Sequence, residues 1–192
     1  MAELILFHHA QGLTKGVVAW ADQLREAGHQ VTVPDLFDGA TFPTVEEGVA
    51  YAQSIGFMTI IERGVAAAET LPDDLVYAGF SMGTLPAQKL AQTRPGARSA
   101  LLYHGGIPPS QFDTPWPASV PLQLHAMDED PWVPLDEEIK PLVDDATKAG
   151  AQVELFVYPG SAHLFTDTSL ADYDQAAAAL TLERSLAFLA RL

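Results

Sequence analysis

The run Gly79-Phe80-Ser81-Met82-Gly83 follows a strand-like stretch, Leu75-Val76-Tyr77-Ala78, and opens a helix-like one. That is the context of a nucleophile elbow. A serine on a sharp strand-to-helix turn holds its hydroxyl above the sheet edge, and glycines two residues either side remove Cβ atoms that would collide in so tight a turn. A neutral hydroxyl is a poor nucleophile, so it needs a base within hydrogen-bond reach and an acid to orient that base. In open sheets of this kind the order along the chain is serine, acid, histidine, each at the carboxyl end of a strand.

The acid region is Asp128-Glu129-Asp130-Pro131-Trp132-Val133-Pro134, directly after a strand pattern ending at His125. Asp130 is the preferred member because proline fixes its own backbone and biases the residue before it away from helix, which makes a rigid turn. Asp128 is the alternative. The base falls in Pro159-Gly160-Ser161-Ala162-His163-Leu164-Phe165, where His163 is the last histidine of the chain. An oxyanion hole takes one amide from the residue after the nucleophile, here Met82, and another from the loop after the first strand, His8-His9-Ala10-Gln11-Gly12. Pro86 has no amide hydrogen and fits only near a first helical turn, so the helix after Ser81 begins close to Met82.

His8, His9, His104 and His125 all sit near the carboxyl ends of predicted strands, the edge at which such sheets bind ligands. No paired spacing such as H-x-x-x-H appears, so a metal centre is not expected. His9 and His104 are instead expected to line the substrate pocket or satisfy nearby backbone groups, and Gln11 and Trp132 to bind substrate. His29 reads as an exposed turn residue.

These side chains need a scaffold that brings six strand ends together. Short aliphatic runs at Leu4 to Phe7, Gln30 to Val33, Leu75 to Ala78, Ser99 to Tyr103, Leu122 to His125 and Val153 to Val157 alternate with helical patterns. That alternation predicts an α/β fold, a mostly parallel sheet with helices on both faces. Thr14 caps a helix whose Val17, Trp20, Ala21 and Leu24 form one apolar stripe, and Gly28 supplies its left-handed stop. Thr44-Val45-Glu46-Glu47 has capping-box spacing, and Gly56 divides the helical stretch from Thr44 to Leu71 into two helices. His104 to Pro121 reads as a long surface loop, and a final helix is expected from about Ala171 to Leu192.

Length and composition agree with a single domain over residues 1–192. The 192 residues are 48% hydrophobic, enough for a substantial core. There is no cysteine, which excludes disulfides, thiolate metal sites and a cysteine nucleophile. With 25 acidic and 10 basic residues the net charge is -15, which disfavours nucleic acid, anionic membranes and anionic substrates. The first residues lack a basic n-region, and no segment reaches membrane-spanning length, so a cytoplasmic location is expected.

Five segments together resemble the dienelactone hydrolase family, small α/β-hydrolases without a lid domain. They are Phe7-His8-His9-Ala10-Gln11-Gly12, Val33-Pro34-Asp35-Leu36-Phe37, the elbow around Ser81, Asp130-Pro131-Trp132-Val133-Pro134, and Tyr158 to Phe165. The resemblance implies a triad of Ser81, Asp130 and His163, and an oxyanion hole from the amides of Ala10 and Met82. Three departures shape the expected substrate. The family's best-known members carry cysteine where this chain has Ser81, a glutamate where His9 stands, and an arginine soon after the histidine, where this chain has Leu164-Phe165-Thr166-Asp167. Arg63 and Arg94 are the cations left to meet a substrate carboxylate.

The expected activity is hydrolysis of a small, neutral ester or lactone through an acyl-enzyme, with no cofactor. Thioesterase or acyltransferase chemistry would use the same residues, and a ligand-binding receptor on a hydrolase scaffold is the alternative outside enzymes. The partners expected are a small-molecule ester or lactone and a second copy of the chain in a homodimer.

Overall fold

In the first strand, β1 (Glu3–Phe7), every residue from Leu4 on is buried. Alternation along the pleat sends Leu4 and Leu6 into one hydrophobic cluster and Ile5 and Phe7 into another. A strand apolar on both faces belongs inside a parallel sheet covered on both sides. The computed structural model describes residues 1–192 and contains that sheet. Its other strands are β2 (Gln30–Thr32), β3 (Val76–Phe80), β4 (Ser99–Tyr103), β5 (Leu122–Met127) and β6 (Val153–Tyr158), in the order β2-β1-β3-β4-β5-β6. All five neighbouring pairs are parallel.

Parallel neighbours need crossover connections; five helices run within four of the five, β4 and β5 being joined by the stretch 104–121, and a sixth helix follows β6. The helices are α1 (Lys15–Glu26), α2 (Val45–Ile55), α3 (Phe57–Ala68), α4 (Thr84–Thr93), α5 (Lys140–Ala149) and α6 (Gln175–Leu189). Trp20 and Leu24 of α1 share a cluster with Ala178 and Phe188 of α6, on the Leu4 side of the sheet. Helices α2 to α5 cover the other side through Ala52, Ile60, Leu90 and Leu142. The chain leaves β1 toward β2 and returns to the other flank of β1 as β3, so the order reverses between β1 and β3. A crevice opens at the carboxyl ends of strands beside such a reversal.

Thr14 caps α1 through Val17, and Thr44 caps α2 through Glu47. Gly56, at φ +88°, separates α2 from α3 in a conformation that a side chain rarely adopts. No helix is long and apolar enough to cross a membrane.

Several local expectations are corrected. Strand β3 runs on through Gly79 and Phe80, because Gly79 pairs with Phe7 and Phe80 with Tyr103 before the chain turns. Helix α6 starts at Gln175, where Asp174 accepts from the amides of Ala176 and Ala177. Helix α5 is hidden in the sequence by Pro134, Pro141 and a run of charges, although its Leu142 and Ala146 are buried in line with Ile139 just before it. The stretch from His104 to Pro121 is no free surface loop. Trp116 is buried within it, and Gln88 and Gln92 of α4 bind the carbonyls of Ile107, Pro109 and Thr114.

Candidate active site

Ser81 has φ +48°, a left-handed backbone on a non-glycine residue at the tip of β3. Such strain costs about 1–3 kcal/mol and persists only where surrounding packing enforces it. The neighbouring glycines show the enforcement. A Cβ on Gly79 would lie 2.2 Å from the Gly83 carbonyl oxygen, and one on Gly83 would lie 2.4 Å from that of Phe7. The elbow is thus pressed against the end of β1.

From this tip the Ser81 hydroxyl reaches His163 Nε2 at 2.7 Å, and His163 Nδ1 reaches Asp130 Oδ2 at 2.7 Å. A carboxylate only accepts, so Nδ1 carries the proton and Nε2 is left to accept from the serine. The other oxygen of Asp130 accepts from the Trp132 amide at 2.9 Å, which fixes the carboxylate within its own loop. His163 and Asp130 are both buried. Asp128 is turned elsewhere: it accepts from the Gly160 amide at 2.8 Å and ties the acid loop to the histidine loop.

The amide of Ala10 donates to no group of the chain, and Ala10 and Met82 both line the cleft beside Ser81. The loop carrying Ala10 is braced from behind. His9 Nδ1 accepts from the Gln11 amide at 3.2 Å, so Nε2 is its donor to Asp167 at 2.9 Å. Asp167 also accepts from Thr14 and Ser169, and these bonds hold its carboxyl down at about 2 against the cost of burial. The expectation that His9 and Gln11 line the substrate pocket is therefore corrected. His9 points toward Asp167 behind the loop, and Gln11 donates to the Phe42 carbonyl.

His104 and Trp132 do border the cleft. His104 bonds Thr166 through Nε2 at 2.8 Å, while its Nδ1 is buried without a partner. Trp132 leans over the relay, its ring 6.1 Å from that of His163. The cleft holds about 250 Å³, at the small end for a ligand site, and its walls are mainly apolar: Val45, Val49, Phe57, Leu85, Ile107 and Val133. Sequence reasoning missed these residues because they come from helices and loops whose inward faces depend on packing. Glu138 is the only carboxylate in the lining, and no arginine or lysine joins it. Arg63 binds Asp38 and the Leu36 carbonyl, and Arg94 binds Asp73 with the carbonyls of Ala68 and Leu71.

The strand-end histidines are engaged one by one, and no group of three or more metal-ligating side chains is gathered. His8 bridges the His9 carbonyl and the Leu36 amide, and His125 bridges Tyr158 and Gln123. His29 is only half-exposed and accepts from the Ala2 amide. Burial is the largest cause that lowers all four strand-end imidazoles: His8 to about 4, His125 to about 3, His9 below its usual value and His104 well below it.

These four histidines impose a steep acid limit on stability. Unfolded, the imidazoles titrate near 6.5, so below that pH the unfolded chain binds protons that the native chain refuses. The stability is intact above pH ~6.5 and falls as the pH drops toward 4, by up to about 1.4 kcal/mol per pH unit for each imidazole that stays neutral in the folded chain. Urea unfolding between pH 7.5 and 4.5 should show the loss, and a flat profile down to pH 5 would show the histidines exposed or charged.

A family model described as the dienelactone hydrolase family matches residues 2–192. No curated protein matches the chain by sequence. Among solved structures, a dienelactone hydrolase-like promiscuous phosphotriesterase from metagenomic libraries is 18% identical, with TM-score 0.76 over 100% of this chain and 87% of its own. The butyrate-bound thermophilic esterase Est2 of the Planctomycetes species Thermogutta terrifontis is 19% identical, with TM-score 0.67 over 99% and 83%. At such identities the likeness is one of fold.

Proposed function

The chain belongs to the dienelactone hydrolase family of ester hydrolases, and on that premise we propose that it cleaves a small carboxylic ester or lactone through Ser81, His163 and Asp130. The observation that carries this reading is the unbroken relay from Ser81 Oγ through His163 to Asp130, with both links at 2.7 Å. As Ser81 attacks the carbonyl carbon, His163 Nε2 takes the hydroxyl proton, and Asp130 stabilises the imidazolium that forms. The carbonyl oxygen becomes an oxyanion between the amides of Ala10 and Met82. Collapse breaks the ester bond and the alcohol leaves with the proton from His163. Water, deprotonated by the same nitrogen, then releases the acid from Ser81.

The apolar walls and the 250 Å³ cleft favour short acyl and alcohol groups. With Arg63 and Arg94 held elsewhere, no clamp receives a substrate carboxylate. Labelling with a fluorophosphonate followed by peptide mass spectrometry tests the reading; Thermogutta terrifontis esterase 2 is itself known phosphorylated by paraoxon. One adduct per chain, on the peptide containing Ser81, is expected alongside turnover of short esters. Adducts confined to other residues would refute the assignment, and a stoichiometric burst without turnover would point to a receptor instead.

A further inference from the structure

Glu138 lies in the wide helical turn Leu135–Ile139 that leads into α5, and it is half-buried at the wall of the cleft. Its carboxylate makes no ion pair and no side-chain hydrogen bond with the chain. The nearest lysine in sequence, Lys140, is committed to Asp136. Opposite charge is therefore absent from a site that also presents two exposed aromatic faces, Phe57 and Trp132, at 37% and 39% exposure. A half-buried carboxylate left unpaired carries a desolvation cost, and a carboxylate that shares a cleft with aromatic rings is suited to receive an alkylammonium group.

We propose that Glu138, with Trp132 and Phe57, selects substrates carrying a cationic group, an ammonium on the alcohol or acyl part of the ester. Burial, and then Glu137, push the Glu138 carboxyl above the usual range, so a cation seated there relieves a standing cost. The net charge of -15 works in the same direction by raising the local concentration of cations before they dock. The substrate class rests on the ester-hydrolase reading, whereas cation binding does not.

The test uses isosteric probes and two readouts. Calorimetry compares choline with 3,3-dimethylbutanol, in which carbon replaces the nitrogen. Kinetics compare acetylcholine, 3,3-dimethylbutyl acetate and 4-acetoxybutanoate. The cation should exceed its neutral isostere by roughly tenfold in both affinity and kcat/KM, with the anion lowest. The advantage should shrink with added salt and fall toward parity in Glu138→Gln, while Asp144→Asn, which removes an exposed charge outside the cleft, keeps it. Equal binding of the two alcohols, or an advantage that survives Glu138→Gln, would overturn the proposal. If choline binds preferentially but no ester turns over, the hydrolase reading fails and the cation site stands.

Discussion

Ser81→Ala should lower kcat for a short activated ester by about five to six orders of magnitude, with the thermal midpoint little changed. The size follows from the relay. His163 and Asp130 have no task without an oxygen nucleophile at 2.7 Å, and in serine hydrolases removal of the nucleophile alone costs about as much as removal of all three members. What remains is polarisation of the bound ester by the oxyanion amides. The fold should hold because Ser81 Oγ bonds only His163, and alanine at φ +48° meets the same backbone strain that serine does. Stopped-flow kinetics with circular dichroism melts would decide. Wild-type turnover in a variant free of contaminating esterase would end the serine mechanism.

Much of this arrangement was readable in advance where local rules decide it. Strand–turn–helix context and two glycines marked the elbow; the clashes at Gly79 and Gly83 are the steric reasons that pattern demands glycine. Capping residues marked α1 and α2 because an N-cap acts within three residues. Features decided by distant partners were not readable. His9 stands at the mouth of the site in sequence, yet its direction is set by Asp167, 158 residues away. In the same way Arg94 is drawn off by the carbonyl of Ala68 at the end of α3 and that of Leu71 beyond it.

Glu138 illustrates the opposite failure. Within Asp136-Glu137-Glu138 it reads as one more solvated charge. Only the wide turn before α5 rotates it to the cleft while Ile139 goes to the core. Residues that shape the pocket rather than react in it depend on such rotations, which hydrophobic periodicity does not encode when charges and prolines interrupt it.

The second large effect separates two carboxylates that sequence alone left in competition. Asp130→Asn should reduce kcat by roughly four orders of magnitude, and Asp128→Asn by no more than severalfold. Both oxygens of Asp130 accept hydrogen bonds, one from the Trp132 amide at 2.9 Å and one from His163 Nδ1 at 2.7 Å. Asparagine has one acceptor oxygen for those two donors. If that oxygen serves Trp132, the amide NH₂ faces His163 and forces the proton onto Nε2, the atom that must take it from Ser81. If it serves His163, the Trp132 amide meets another donor and the rigid turn is disturbed. Asp128 faces no such conflict, because its Oδ1 receives the one Gly160 amide and asparagine can supply that oxygen unchanged. Only the charge on that acceptor is lost, so the effect shows in stability, by no more than about 1 kcal/mol. The two variants should be compared by kcat against pH with melts alongside; an Asp128→Asn enzyme as slow as Asp130→Asn, and equally well folded, would mean that the working acid lies two residues earlier.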